Sequence, residues 1–235
     1  MNSLPKIKGT YKKNFPLSKL TWFQTGGNAQ VLFIPKNLLD LQFFLKNIKN
    51  IPITIIGGGS NLLVRDGGVK GVVVKLGSGF DYIEYKKNYI LCGASVKNIN
   101  LSNNLAKKEI TGFEFLSTIP GTIGGSIFMN AGCFGMEIKN LIKSLLLINK
   151  EGKLIELKRN LINFSYRSSG INKHYFIVAA KFEIRKGNEK DINKKIKKYL
   201  NLRKKTQPIK TLTGGSTFIN PNKKKAWKLI KQSSC

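Results

Sequence analysis

Two glycine-rich segments, each entered from an apolar run, constrain this chain more than any other feature. The first is Gly57-Gly58-Gly59-Ser60-Asn61, which follows a strand-like apolar run at residues 51–56. Three successive positions without side chains let the backbone approach a ligand and turn N–H groups toward phosphate. No Gly-Lys-Ser/Thr follows, so the segment is not a Walker loop, and its spacing is not the GxGxxG dinucleotide fingerprint. Alone, it reads equally well as an ordinary tight turn. The second segment is Ile119-Pro120-Gly121-Thr122-Ile123-Gly124-Gly125-Ser126, continued by Met129-Asn130-Ala131-Gly132-Cys133-Phe134-Gly135. That density of glycine and small residues argues against a helix interior. Two such loops after apolar runs point to one elongated ligand with a diphosphate held between them.

The surrounding pattern is that of a mixed α and β chain. Residues 30–34 read as a strand and 38–49 carry apolar residues at helical spacing. Residues 51–56, 69–76 and 89–93 read as further strands, giving a βαβ-like opening. Residues 95–108 fit a helix that Ser95 is placed to cap. Residues 141–149 and 153–157 flank Lys150-Glu151-Gly152, a hairpin signal with glycine at the turn. A strand is expected at 175–184. A lysine-rich amphipathic helix follows at 189–205, with Ile192, Ile196, Tyr199, Leu200 and Arg203 on one face, ended by Gln207-Pro208. A last helix is expected at 223–231.

Composition excludes several functions. The net charge of +29 suggests nucleic acid, yet only five of the 41 basic residues are Arg, the type favoured for phosphate and base contacts. Lys-rich solvated faces are the first account of the charge, a positive field that draws anionic small substrates the second, and a basic nucleic-acid-binding protein the least favoured alternative, so no nucleic-acid partner is expected. No apolar run reaches the ~18 residues needed to span a bilayer, and no signal-peptide pattern opens the chain, so a cytoplasmic protein without membrane contact is expected. Cys92, Cys133 and Cys235 are widely spaced, and His174 is the only histidine, so no metal site is expected.

Two further segments carry chemistry. In Phe164-Ser165-Tyr166-Arg167-Ser168-Ser169, an arginine stands among hydroxyls in a chain that mostly uses lysine, which makes it a candidate anion clamp. In Gly214-Gly215-Ser216-Thr217-Phe218-Ile219-Asn220-Pro221, a serine follows two glycines; such a serine is most often a turn residue and otherwise suits a nucleophile or a proton donor. No GxSxG signals hydrolase chemistry.

Together these segments resemble the UDP-N-acetylenolpyruvoylglucosamine reductase family, within the vanillyl-alcohol-oxidase-like flavoproteins. The matching pieces, in family order, are TWFQTGG at 21–27, PITIIGGGSNLLVRD at 52–66, FLSTIPGTIGGSIFMNAGCFG at 115–135, FSYRSS at 164–169 and GGSTFINP at 214–221. The resemblance implies an α+β fold: an N-terminal extension at 1–20, then a two-part FAD-binding region at 21–187. That region would comprise a small βαβ-like subdomain at about 21–76 and a larger mixed-sheet subdomain at 77–187. An incomplete α+β substrate-binding domain at 188–235 would follow.

The resemblance also implies a reaction of peptidoglycan precursor synthesis, in which NADPH reduces bound FAD. The reduced flavin then passes hydride to C3 of the enolpyruvyl group of UDP-N-acetylglucosamine enolpyruvate, giving UDP-N-acetylmuramate. FAD is expected on Gly57, Gly58, Gly59, Ser60 and Asn61 and on Pro120, Gly121, Gly124 and Gly125. Arg167 matches the arginine that stabilises the enolate, and Ser216 matches the serine that protonates C2. Tyr166 and Asn220 match positions beside the substrate, and a monomer is expected.

Two departures stand out. Ile219 occupies a place where the family commonly has Lys. The resemblance runs through Ala226-Trp227-Lys228-Leu229-Ile230 and stops at Cys235, whereas family members continue to a glutamate that partners the arginine. The spacing matches the shorter subclass. A folded FAD-binding remnant without turnover is therefore the alternative expectation.

Overall fold

Continuous apolar runs and alternating ones build two main sheets, and the helix packed between them contacts strands of both. The computed structural model describes residues 4–207, 211–221 and 224–233. Pro208 and Lys223, expected at helix ends, and Cys235 lie outside them. The first sheet contains β1 (Thr10–Pro16), β2 (Asn28–Ile34), β3 (Ile53–Ile56) and β4 (Val69–Lys75) in the order β1-β2-β4-β3. The β2–β4 and β3–β4 pairs are parallel, and β1 runs antiparallel to β2. Helix α1 (Leu38–Asn47) connects β2 to β3, completing the βαβ unit that the sequence indicates. The first twenty residues contribute β1, paired with β2 along its length.

Side-chain oxygens set the start of α1. Asn37 caps it by accepting the Asp40 N–H at 3.0 Å. Asp40 is itself buried, and its carboxylate accepts the Lys8 N–H at 2.7 Å and the Lys36 N–H at 2.9 Å. This carboxylate ties the N-terminal segment to the β2–α1 turn. Asp40→Ala leaves two backbone donors without that acceptor and is expected to cost about 2–4 kcal/mol. Thermal melting followed by circular dichroism should show Tm falling by roughly 5–10 °C; a fall under about 2 °C would mean the ties carry little.

The second sheet is antiparallel, in the order β10-β9-β11-β6-β5. Its strands are β5 (Ile83–Tyr85), β6 (Tyr89–Gly93), β9 (Ile142–Ile148), β10 (Leu154–Lys158) and β11 (Phe176–Glu183). The β9–β10 hairpin closes as the sequence suggests, with Gly152 at φ 78° and its N–H donated to Asn149 O. Between β6 and β9 lie α2 (Asn98–Ala106), α3 (Ile123–Phe128) and a two-stranded ribbon, β7 (Gly132–Cys133) with β8 (Met136–Glu137). Past β11 come α4 (Glu189–Thr206) and α5 (Ala226–Gln232).

Alternation along β9 and β11 sends side chains into two cores. Leu145, Leu147, Ala180 and Phe182 join α2 and α3 residues such as Leu101, Leu105 and Ile127 on one face. Ile148, Phe176 and Val178 point the other way, into a cluster with Phe33, Leu41, Phe44 and Val74 from the first sheet and α1. Phe33 and Phe44 pack with ring centroids 4.4 Å apart. The two sheets are therefore fixed to each other through the buried face of α1. Helix α4 lays Ile192 and Ile196 against Ala106 of α2.

Two local expectations are corrected. Ser95 does not cap α2; it donates to Gly77 O at 2.7 Å, and the helix starts at Asn98 after Lys97, without a side-chain cap. Gly124 and Gly125 do enter a short helix, α3. A Cβ on Gly124 would lie 2.9 Å from Ala94 Cβ, so close packing on Ala94 outweighs the poor helix propensity of glycine.

Candidate functional site

The two glycine-rich loops abut. The first leaves the C-terminal end of β3, and the second leads into α3. A Cβ on Gly58 would stand 2.6 Å from Gly121 Cα, and one on Gly57 would stand 3.2 Å from Thr122 Oγ1 and 3.5 Å from Gly125 Cα. Ser60 Oγ donates to Pro120 O at 3.2 Å, a direct tie between the loops. Gly59 has φ 69°, and its carbonyl accepts the Trp22 N–H at 3.0 Å. Among the described residues, the N–H groups of Gly58, Gly59, Ser60, Asn61, Gly121 and Thr122 donate to no protein acceptor. Paired loops with open donors and glycine at their contact form a cradle suited to a diphosphate.

A buried side chain that the sequence reading did not single out holds the second loop in place. Asn98, fully buried at the start of α2, donates from Nδ2 to Ile119 O, Pro120 O and Ser126 Oγ, at 3.1, 3.3 and 2.7 Å. Its backbone N–H reaches Gly121 O. The signal was available: Asn98 stands one position before the apolar spacing of α2 begins, a place where a polar residue reads as ordinary surface.

The arginine segment forms a second cluster. Ser165 and Ser168 close a tight turn on each other, and Arg167 occupies the left-handed region at φ 58°. Asn130 Nδ2 anchors the turn by donating to Ser165 O at 2.8 Å, and the Ser169 N–H reaches Phe128 O. The Arg167 guanidinium donates from Nη2 to Gly132 O at 3.0 Å and lies 4.8 Å from the Tyr166 ring centroid. Tyr166 Oη accepts from Asn220 Nδ2 at 3.1 Å, and Asn220 Oδ1 accepts the Ala226 N–H. Arg167, Tyr166 and Asn220 thus come together, and among the described residues the other guanidinium N–H groups have no acceptor.

Ser216 is placed differently. It is exposed, and no hydrogen bond joins it to Arg167. Its neighbours lie over the first loop: a Cβ on Gly215 would sit 3.5 Å from Asn61 Oδ1, and one on Gly214 would sit 2.7 Å from the Phe23 ring. Cys133 lies between the clusters, 3.4 Å from Thr118 Oγ1. Burial pushes its thiol above the usual range, opposed by Thr118, Arg203 and Arg167. Burial lowers the half-buried Arg203, and the adjacent Phe134 stacks on Tyr199 at 4.3 Å. A separate cavity of about 280 Å³, lined by Thr111, Met136, Glu183 and Arg185 among others, contains none of the expected site residues. Among the described residues, no group of three or more His, Cys, Asp or Glu could hold a metal, and no helix is long and apolar enough to cross a membrane.

The cradle and the fold together define a flavoprotein. Residues 29–158 match the family model described as FAD binding domain. The chain belongs to the UDP-N-acetylenolpyruvoylglucosamine reductase family. It is 45% identical over 231 residues to the reductase of that name from Rickettsia prowazekii (strain Madrid E), covering 98% of this chain and 78% of the relative. Against the Rickettsia typhi (strain Wilmington) reductase the identity is 44%, with the same coverage. Among solved structures, that of MurB from Thermus caldophilus superposes with a TM-score of 0.85 at 24% identity, over 97% of this chain and 81% of the other. The berberine bridge enzyme from Eschscholzia californica matches at 0.55 and 16% identity, over 74% of this chain and 38% of that one. The last two likenesses concern the fold.

Proposed function

We propose that this chain binds FAD in the glycine cradle and uses NADPH to reduce UDP-N-acetylglucosamine enolpyruvate to UDP-N-acetylmuramate. The observation that carries the reading is the abutment of the two glycine-rich loops, in which six backbone N–H groups have no protein acceptor among the described residues. In this reading, residues 21–187 form the flavin-binding region, with parts at about 21–76 and 77–187, and residues 188–235 begin the substrate domain. Gly57–Asn61 and Pro120, Gly121, Gly124 and Gly125 hold the cofactor.

FAD held by these residues would supply the two-electron redox chemistry between NADPH and the enolpyruvyl group. The chain's own residues manage charge and the proton. Arg167 donates to the oxygen on which negative charge develops, and its contacts with Gly132 O and Tyr166 fix it before the substrate arrives. Ser216 delivers the proton to C2, which completes addition of hydride and proton across the double bond. Serine is a weak acid, so this transfer suits only the strongly basic enolate. Asn220 and Tyr166 position the substrate as a hydrogen-bonded pair. The protein works as a monomer in the cytoplasm, with no nucleic-acid or membrane partner.

The test is direct. Purified protein titrated with FAD should turn yellow, with quenched flavin fluorescence, and should consume NADPH only when the enolpyruvyl substrate is present. Failure to bind FAD would sink the reading. Flavin binding without substrate-dependent NADPH oxidation would sink the reductase and leave the cofactor site standing.

A further inference from the structure

We propose that Lys75 and Lys97 form a cationic clamp on the diphosphate of FAD at the seam of the two glycine-rich loops. The inference rests on the cofactor reading above and extends it to two side chains outside the loops. Lys75 is the last residue of β4 and pairs in register with Ile56, immediately before Gly57. Its Nζ donates to Gly57 O at 3.1 Å, which brings the ammonium to the edge of the cradle. The backbone of Lys97 borders the second loop: it forms an antiparallel bridge with Thr122, whose Oγ1 lies 3.2 Å from where a Cβ on Gly57 would stand, and the charge of Lys97 is felt at Lys75.

The charges at this spot are unbalanced. Among the described residues, no carboxylate forms an ion pair with Lys75 or Lys97. Lys75 is largely removed from solvent, and burial first, then the charge of Lys97, lowers its pKa from the ordinary lysine value. A half-desolvated ammonium with one carbonyl acceptor and a like charge nearby is unfavourable unless an anion completes the site. The open N–H groups of both loops border the same seam, so an anion placed there meets backbone donors and two cations at once.

The experiment titrates FAD and riboflavin, which lacks the diphosphate, against wild-type, Lys75→Gln, Lys75→Arg and Lys97→Gln protein by fluorescence quenching. Lys75→Gln should raise Kd for FAD roughly tenfold or more. Lys97→Gln, at an exposed position, should raise it by about threefold. Riboflavin affinity should stay within about twofold of wild type in every variant, and Lys75→Arg should recover most of the FAD affinity. The salt dependence of FAD binding should also flatten in both glutamine variants. Unchanged FAD affinity in both glutamine variants would overturn the clamp, as would equal losses for FAD and riboflavin, which would mark a packing role. If Lys75→Gln does not fold, Lys97→Gln and the salt dependence decide. If wild-type protein binds no FAD, the cofactor reading itself falls, and this inference with it.

Discussion

Replacing Arg167 by methionine should lower kcat for the enolpyruvyl substrate by roughly 10²–10³-fold. The rate at which NADPH reduces the bound flavin, followed by loss of flavin absorbance in single turnover, should be far less affected. The split follows from where the charge arises: no anion develops on the enolpyruvyl group until hydride reaches it. Arg167 is also held at a backbone angle that non-glycine residues seldom adopt, φ 58°. Strain of that kind costs about 1–3 kcal/mol and persists where the surroundings impose it. Here they do, through the Ser165–Ser168 turn, the Asn130 anchor and the bond to Gly132 O. Lysine should rescue little, because an ammonium cannot both hold Gly132 O and present a planar fork to a carboxylate or enolate. A methionine variant retaining more than a third of wild-type kcat would remove Arg167 from the chemistry.

Gly59→Ala should abolish measurable flavin binding and lower Tm by roughly 5–10 °C. The position combines two obstacles. Its φ of 69° disfavours any side chain, and the added Cβ would fall 1.9 Å from the Leu20 carbonyl oxygen, a backbone atom that cannot swing aside. The loop would have to move away from residues 20–22, losing the Trp22 N–H bond to Gly59 O and displacing its own open donors. Gly67→Ala is the matched control, since a Cβ there meets nothing within 4 Å. Flavin titration and thermal melting of both variants check the contrast. Near-equal behaviour would show that the loop is more pliable than its contacts imply.

Much of the first sheet is written plainly in the sequence, because buried parallel strands require continuous apolar runs such as Val72-Val73-Val74. Strand β1 is not. Its Thr-Tyr-Lys-Lys-Asn-Phe-Pro run lacks clean alternation, and Tyr11 alone reaches into the aromatic cluster with Phe33 and Phe44. Helix α3 is hidden for a different reason: tertiary packing on Ala94 overrides a propensity that local reading weights correctly. At the site, the loops were legible as a pair because glycine is informative wherever bulk must be absent. Lys75 was illegible, since it reads as the polar end of a strand, and only the β3–β4 register brings it to Gly57. Asn98 likewise discloses its role only once the fold turns Ile119 and Pro120 back over it.

Strand β1 has a further consequence. It ends the first sheet on one side, and among the described residues its outer backbone groups have no strand neighbour. Such a margin is a template on which a second copy can add its own strand. Antiparallel addition of β1 to β1 would bring Lys12 and Lys13 of one molecule against the same residues of the other. Asn14, at φ 49°, also interrupts the regular register of the strand with β2. The like charges of Lys12 and Lys13, set face to face in that way, would oppose the pairing.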